Sequence, residues 1–266
     1  MSILKIDRLS ISFGGLKAVD DLSFEVPEKS IYGLIGPNGA GKTTVFNCIS
    51  RFYTPDNGSI RFVQSDSTGK RIEHELTKYK VHEIISKGLA RTFQNVELFK
   101  NMTVEENLIV GLHSQIRGGF LKCGFKLPMV IKEEKRVREK ALFILEFLGL
   151  TGIEKQNAAS QPYGTQKLIE LGRALISSPC LIILDEPAAG MNPRETEELA
   201  LLIKRIRDKL GITVLLVEHD MGLVMNICER ICAISFGKKI AEGTPDYIQN
   251  NPVVQEAYLG KEEQYA

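Results

Sequence analysis

No two of the five cysteines in this 266-residue chain stand as C-x-x-C. They fall at Cys48, Cys123, Cys180, Cys228 and Cys232, an odd, scattered set that argues against a disulfide framework or zinc site and for reduced, mostly buried thiols. The histidines, His74, His82, His113 and His219, are too dispersed to suggest a metal cage. Nowhere does an uninterrupted apolar run approach the ~18–20 residues needed to cross a bilayer, and Met1 to Ser10 lacks the basic-then-apolar pattern of a signal peptide. The expectation is a cytoplasmic protein unless a partner holds it at a membrane. An excess of one charge is missing too: 34 basic and 33 acidic residues leave +1, so no global field argues for nucleic acid or an acidic partner. Repeats and low-complexity tracts are absent. With 43% hydrophobic and 25% charged residues, the composition fits a globular domain, or a core with a smaller lobe.

Alternation of apolar and polar residues predicts strands at Ile3 to Phe13 and Leu22 to Val26, the second ended by Pro27. Short continuous apolar runs at Ile31–Ile35, Leu181–Leu184, Ile212–Val217 and Ile231–Phe236 read as buried parallel strands. Glu195 to Leu210 is periodic at helical spacing. Strand and helix in alternation predict an α/β fold, a parallel sheet with helices on its faces. From about Val96 to Ser178 no convincing strand appears, so that stretch reads as a helical lobe inserted into the α/β core.

Gly36-Pro37-Asn38-Gly39-Ala40-Gly41-Lys42-Thr43 fits G-x-x-x-x-G-K-[ST], and Thr44 follows. Glycines let the backbone curl until successive N–H groups face phosphate oxygens. A helix predicted to start near Lys42 adds unpaired N–H groups and a positive dipole end. Lys42 supplies a full charge for the β- and γ-phosphates, and the Thr43 hydroxyl suits Mg²⁺. Chance would produce the pattern in roughly one chain of this length in a hundred, and here an apolar strand precedes it and a helix follows. The reading is nucleotide binding. No [NT]-K-x-D motif is present, which argues against a GTPase.

Leu181-Ile182-Ile183-Leu184-Asp185-Glu186 is an apolar strand ending in two carboxylates. Alone, such an end is usually the start of a polar loop. Beside a phosphate loop, Asp185 can hold Mg²⁺ through its water shell and Glu186 can act as general base on an attacking water.

Gln161-Pro162-Tyr163-Gly164-Thr165-Gln166-Lys167 opens an apolar-periodic helix shortly before that strand. The segment resembles the ABC signature, usually written LSGGQ. With the phosphate loop and Asp185-Glu186, its order and spacing resemble an ABC nucleotide-binding domain over nearly the whole chain. The resemblance implies a P-loop NTPase (RecA-like) core at about 1–94 and 180–266, N-terminal antiparallel strands, and an inserted helical subdomain at about 95–179. It implies an ATPase, with ATP and Mg²⁺ as ligands. Gln94 sits like the Q-loop glutamine that senses Mg²⁺ and water. His219 sits like the switch histidine at the γ-phosphate, and Phe13 at the aromatic position that stacks on adenine. Stacking reads a ring face rather than base edges, so preference for ATP over GTP should be modest. Gly190-Met191-Asn192-Pro193 matches the D-loop, with Asn192 where aspartate is commoner. Taken singly, Gln94, His219 and Phe13 read as surface, loop and core residues; their joint placement carries the roles. Gln161 and Pro162 depart from the signature's Leu and Ser. Proline offers no hydroxyl to a phosphate, although the Gly164 N–H at the helix start remains, so a less tightly closed dimer is expected.

Arg91-Thr92-Phe93-Gln94-Asn95-Val96, Leu184 through Pro193, and Ala241 through Gly260 resemble the ATP-binding subunits of branched-chain (hydrophobic) amino acid uptake transporters. Relatives serving urea or another small solute are similar, and an ABC ATPase outside transport is the rival class. The resemblance implies head-to-tail pairing with a second such subunit, docking on membrane permease subunits, and a peripheral place at the cytoplasmic face of the membrane. Val96, Leu98, Phe99 and Met102 form an apolar cluster that is either a docking patch or lobe core. Ser114 to Lys140 carries eight basic residues against three glutamates, with Phe120, Leu121 and Phe125 interleaved. A solvated helix face is favoured there over contact with lipid headgroups.

Overall fold

The computed structural model describes residues 1–65, 70–92, 96–113 and 128–259. The chain forms two compact units, Met1–Arg91 with Cys180–Ala266, and Thr92–Pro179.

In the first unit β1 (Ser2–Phe13) and β2 (Leu16–Pro27) pair antiparallel, and β4 (Asn57–Ser65) and β5 (Arg71–Glu75) extend them into a sheet ordered β2-β1-β4-β5. The expected strand at Leu22–Val26 starts earlier, at Leu16. Lys17, Asp20 and Asp21 break the alternation there, but Val19 pairs with Ile11 and is fully buried, and that cross-strand contact extends the strand.

A second sheet has the order β10-β9-β3-β8-β7-β6. Its strands are β3 (Ile31–Ile35), β6 (Leu89–Arg91), β7 (Leu181–Asp185), β8 (Thr213–Val217), β9 (Arg230–Ser235) and β10 (Lys238–Gly243). All neighbours run parallel except β10, which is an antiparallel edge. Every residue of β3, β7 and β8 is buried, so these strands are written as unbroken apolar runs rather than alternations. Helices α1 (Lys42–Ile49), α2 (Val81–Ile84), α6 (Pro193–Leu210), α7 (Met221–Ile227), α8 (Pro245–Gln249) and α9 (Pro252–Leu259) complete the unit. Leu4, Phe24, Tyr32, Phe46 and Leu215 belong to one core shared by the two sheets, with the Phe24 and Tyr32 rings stacked at 5.7 Å.

Parallel pairing decides where chemistry gathers. Leu34 aligns with Val217, and Val217 with Asp185. The loops leaving β3, β8 and β7 therefore emerge side by side at one edge of the sheet, where ligands bind in open α/β folds.

The second unit contains α3 (Val104–Val110), α4 (Pro128–Leu148) and α5 (Tyr163–Leu175), and no strand among its described residues. Helix packing is close: a side-chain carbon added at Gly172 would lie 2.9 Å from a Leu148 methyl group. Fully buried Asn107 shapes the loop ahead of α3, accepting from the Phe99 N–H (2.9 Å) and donating to the Phe99 (3.1 Å) and Thr103 (3.0 Å) carbonyls.

Candidate nucleotide site

Beyond β3 the chain turns through Gly36 (φ 157°), Gly39 (φ 80°) and Gly41 (φ 102°) before α1 begins. A side chain at Gly36 would run into the Ile234 carbonyl, and one at Gly41 would come within 2.5 Å of the Ala18 carbonyl. Both positions therefore require glycine for space as well as for backbone angle. The Gly237 N–H donates to the Ala40 carbonyl at 3.0 Å, tying the β9–β10 turn to the loop. Asn38, Gly39 and Thr43 are exposed, Pro37 and Thr44 half-buried, and Ala40 buried. The first-turn N–H groups of α1 have no acceptor within the helix. Gly41 at the N-cap has no side chain to cap them and no acidic residue sits in the first turn, an arrangement suited to a bound anion. Lys42, only 7% exposed, donates to the carbonyls of Gly36 (2.7 Å) and Pro37 (3.1 Å). Its charge is thus held within the curl of the loop.

Asp185 ends β7 and Glu186 follows at φ 47°, a left-handed setting that is strained for a residue with a side chain. The Glu186 N–H donates to the Val217 carbonyl at 2.9 Å, which fixes this turn against β8. Its carboxylate is 3.8 Å from His219 Nδ1. Phe13, at the end of β1, is 45% exposed with its ring edge-to-face with Tyr53 at 5.2 Å; a ring this open can take an aromatic base. Gln94 lies outside the described residues.

Glu218 was not singled out by the sequence. Its fully buried carboxylate accepts the Ala188 N–H through Oε1 (2.7 Å) and those of His219 (3.1 Å) and Asp220 (3.4 Å) through Oε2. It joins the turn after Glu186 to the turn carrying His219. Burial raises its pKa above the ordinary 4.5, opposed by the three amides. The folded chain thus holds this proton to higher pH than the unfolded chain, and stability drains away as pH rises between the two values. Glu218→Gln cannot titrate. In paired chemical-denaturation series, the stability of wild type minus that of the variant should fall as pH climbs from 4.5 and then level off. A difference independent of pH would remove Glu218 as the cause.

A second missed neighbour is Tyr258 on α9. Burial pushes its hydroxyl up to about 12, and the Gly36 amide beside it works in the opposite direction.

In the helical unit, Pro162 is the N-cap of α5 and makes no capping hydrogen bond. The turn before it is stapled by Gln166, whose Nε2 donates to the Gln161 (2.8 Å) and Ala159 (3.2 Å) carbonyls. Tyr163 is half exposed and Gly164 partly buried at a helix start that has no acidic first turn. Asn192 accepts the Glu195 N–H (3.0 Å) while Glu195 accepts the Asn192 N–H (2.9 Å); this capping box starts α6 at Pro193 rather than at Glu195.

A family described as ABC transporter matches residues 19–189. The chain belongs to the ABC transporter ATP-binding family. It is accordingly an ATP-hydrolysing subunit of a membrane transporter, built on the P-loop α/β fold with an antiparallel N-terminal sheet. A second family, described as branched-chain amino acid ATP-binding cassette transporter, matches residues 238–264. ABC relatives include the high-affinity branched-chain amino acid transport ATP-binding protein of Pseudomonas aeruginosa, 44% identical over 97% of this chain and 98% of that protein. A protein of the same description from Escherichia coli strain K12 is 42% identical over the same shares. Among solved structures, the ADP conformation of an ATP-binding cassette of an ABC transporter superposes with TM-score 0.80 at 35% identity, covering 98% of this chain and 99% of that one. A nucleotide-free ATP-binding cassette also gives 0.80, at 34% identity and 98% and 100% coverage.

Proposed function

We propose that this chain energises uptake of branched-chain or other hydrophobic amino acids from the cytoplasmic face of the membrane. The observation that carries this reading is the match of residues 238–264 to the branched-chain family, a stretch of β10, α8 and α9 lying beyond the part matched by ABC transporters at large.

In the proposed cycle, ATP is held by Gly36 to Thr44 with Phe13 on the adenine. The Thr43 hydroxyl, Asp185 through the ion's water shell, and the Gln94 side chain would hold a magnesium ion, which when bound would neutralise charge on the β- and γ-phosphates. The donor set fits such an ion: one carboxylate at the end of β7 and one hydroxyl on α1 leave the remaining positions to phosphate oxygens and water, the mixture that Mg²⁺ takes. Glu186 draws the proton from the attacking water while His219 contacts the γ-phosphate. The phosphate loop covers one side of the nucleotide; the other is closed by Gly164 at the α5 N-terminus of a second subunit, either another copy or a related chain. ATP binding draws the pair together, hydrolysis releases it, and the difference in affinity between open and closed forms does the work. Phe99 and Met102, 46% and 36% exposed on the Asn107-braced loop, support docking on a permease helix.

Uptake of labelled leucine and of urea by cells carrying wild-type or Lys42→Ala protein tests the solute. Loss of leucine uptake alone is expected; loss of urea uptake with leucine untouched would reassign it.

A further inference from the structure

Arg91 ends β6, three residues ahead of Gln94, and its guanidinium faces the carboxylate assigned above to magnesium. Nη2 donates to Asp185 Oδ2 at 2.9 Å, and the two side chains are only 8% and 7% exposed. Nη1 donates to Asn47 Oδ1 at 2.8 Å and lies 3.4 Å from Ser50 Oγ, both on or at the end of α1. The Phe46 and Phe52 rings stand 5.8 and 5.9 Å from the guanidinium carbon. The group is therefore fixed from several sides.

Asn47 follows Thr43 by one helical turn on α1. One planar fork thus grips the carboxylate at the end of β7 and the helix that carries Thr43. Of the two Asp185 oxygens, Oδ2 is committed to Arg91, which orients the other. Carboxylates that ligate metals are commonly oriented by such outer hydrogen bonds. A lysine could keep the charge but could not span both partners, since its ammonium lacks the two-pronged geometry.

We propose that Arg91 is a positioning residue for magnesium: bridging Asp185 and Asn47, it fixes the Asp185 carboxylate relative to α1, the helix that carries Thr43 one turn before Asn47. The inference rests on the assignment of Thr43 and Asp185 to the metal. The test is ATP affinity measured twice on the purified chain, in EDTA and in saturating MgCl₂, for wild type, Arg91→Lys and Asn47→Ala, with thermal unfolding run alongside. The gain in ATP affinity that magnesium confers should shrink about tenfold in Arg91→Lys and less in Asn47→Ala, while affinity in EDTA stays near wild type in both. An undiminished gain in both variants overturns the proposal. So does an equal loss of affinity with and without magnesium, which would make Arg91 a prop for the loop alone. Should Arg91→Lys fail to fold, Asn47→Ala decides by the same two measurements. A wild-type chain whose ATP affinity ignores magnesium would instead overturn the metal assignment, and this inference with it.

Discussion

Glu186→Gln should bind ATP as the wild type does and hydrolyse it at least about a hundredfold more slowly, general-base catalysis being worth 10²–10⁴-fold. The amide has the same shape but cannot take a proton from water. Its backbone setting should survive, because the left-handed turn at Glu186 is held by the N–H bond to Val217 and the Ala189 N–H bond to the Glu186 carbonyl (3.1 Å), neither of which uses the side chain. With chemistry blocked and binding intact, the closed pair should accumulate. Single-turnover phosphate release and ATP-dependent change in size on gel filtration would report both. Near-normal turnover in this variant would move the base elsewhere.

Lys42→Ala attacks the other half of the site and should cost ATP affinity about a hundredfold. Truncating one partner of a buried, hydrogen-bonded charge pair costs roughly 2–5 kcal/mol, and about 2.7 kcal/mol corresponds to that factor. Lys42 is well placed for an effect of this size because it is almost fully buried and held by two loop carbonyls. The same bonds brace the loop, so a small drop in melting temperature should accompany the loss. Isothermal titration with ATP and a thermal melt separate the two effects. An affinity within a few-fold of wild type would remove Lys42 from phosphate binding.

What the sequence made legible were features written in consecutive residues. The phosphate loop and the Asp185-Glu186 end are short motifs, and β3 and β7 are continuous apolar runs because both their faces are covered. Edge elements gave no comparable signal. The polar strands β5 (Arg71–Glu75) and β10 (Lys238–Gly243) lie at the ends of their sheets with only one buried residue each, so they have little apolar face to show. Arg91 and Glu218 were hidden for a different reason. Arg91 reaches Asp185 only because β6 lies beside β7, and Glu218 meets the Ala188 N–H across 30 residues of sequence. Neither contact leaves a local pattern. For Phe99 and Met102 the apolar pattern was visible and the exposure was not, because it depends on how the folded loop, bonded through Asn107 to the Phe99 backbone, presents them.

Every role assigned to these residues presumes a triphosphate in the curl between β3 and α1. The most direct measurement is calorimetric titration of the purified, folded chain with ATP in the presence of Mg²⁺. Saturable binding to one site per chain is expected, sharply weakened in Lys42→Ala. A folded wild-type chain that takes up no ATP–magnesium, alone or with its membrane partners, would contradict it.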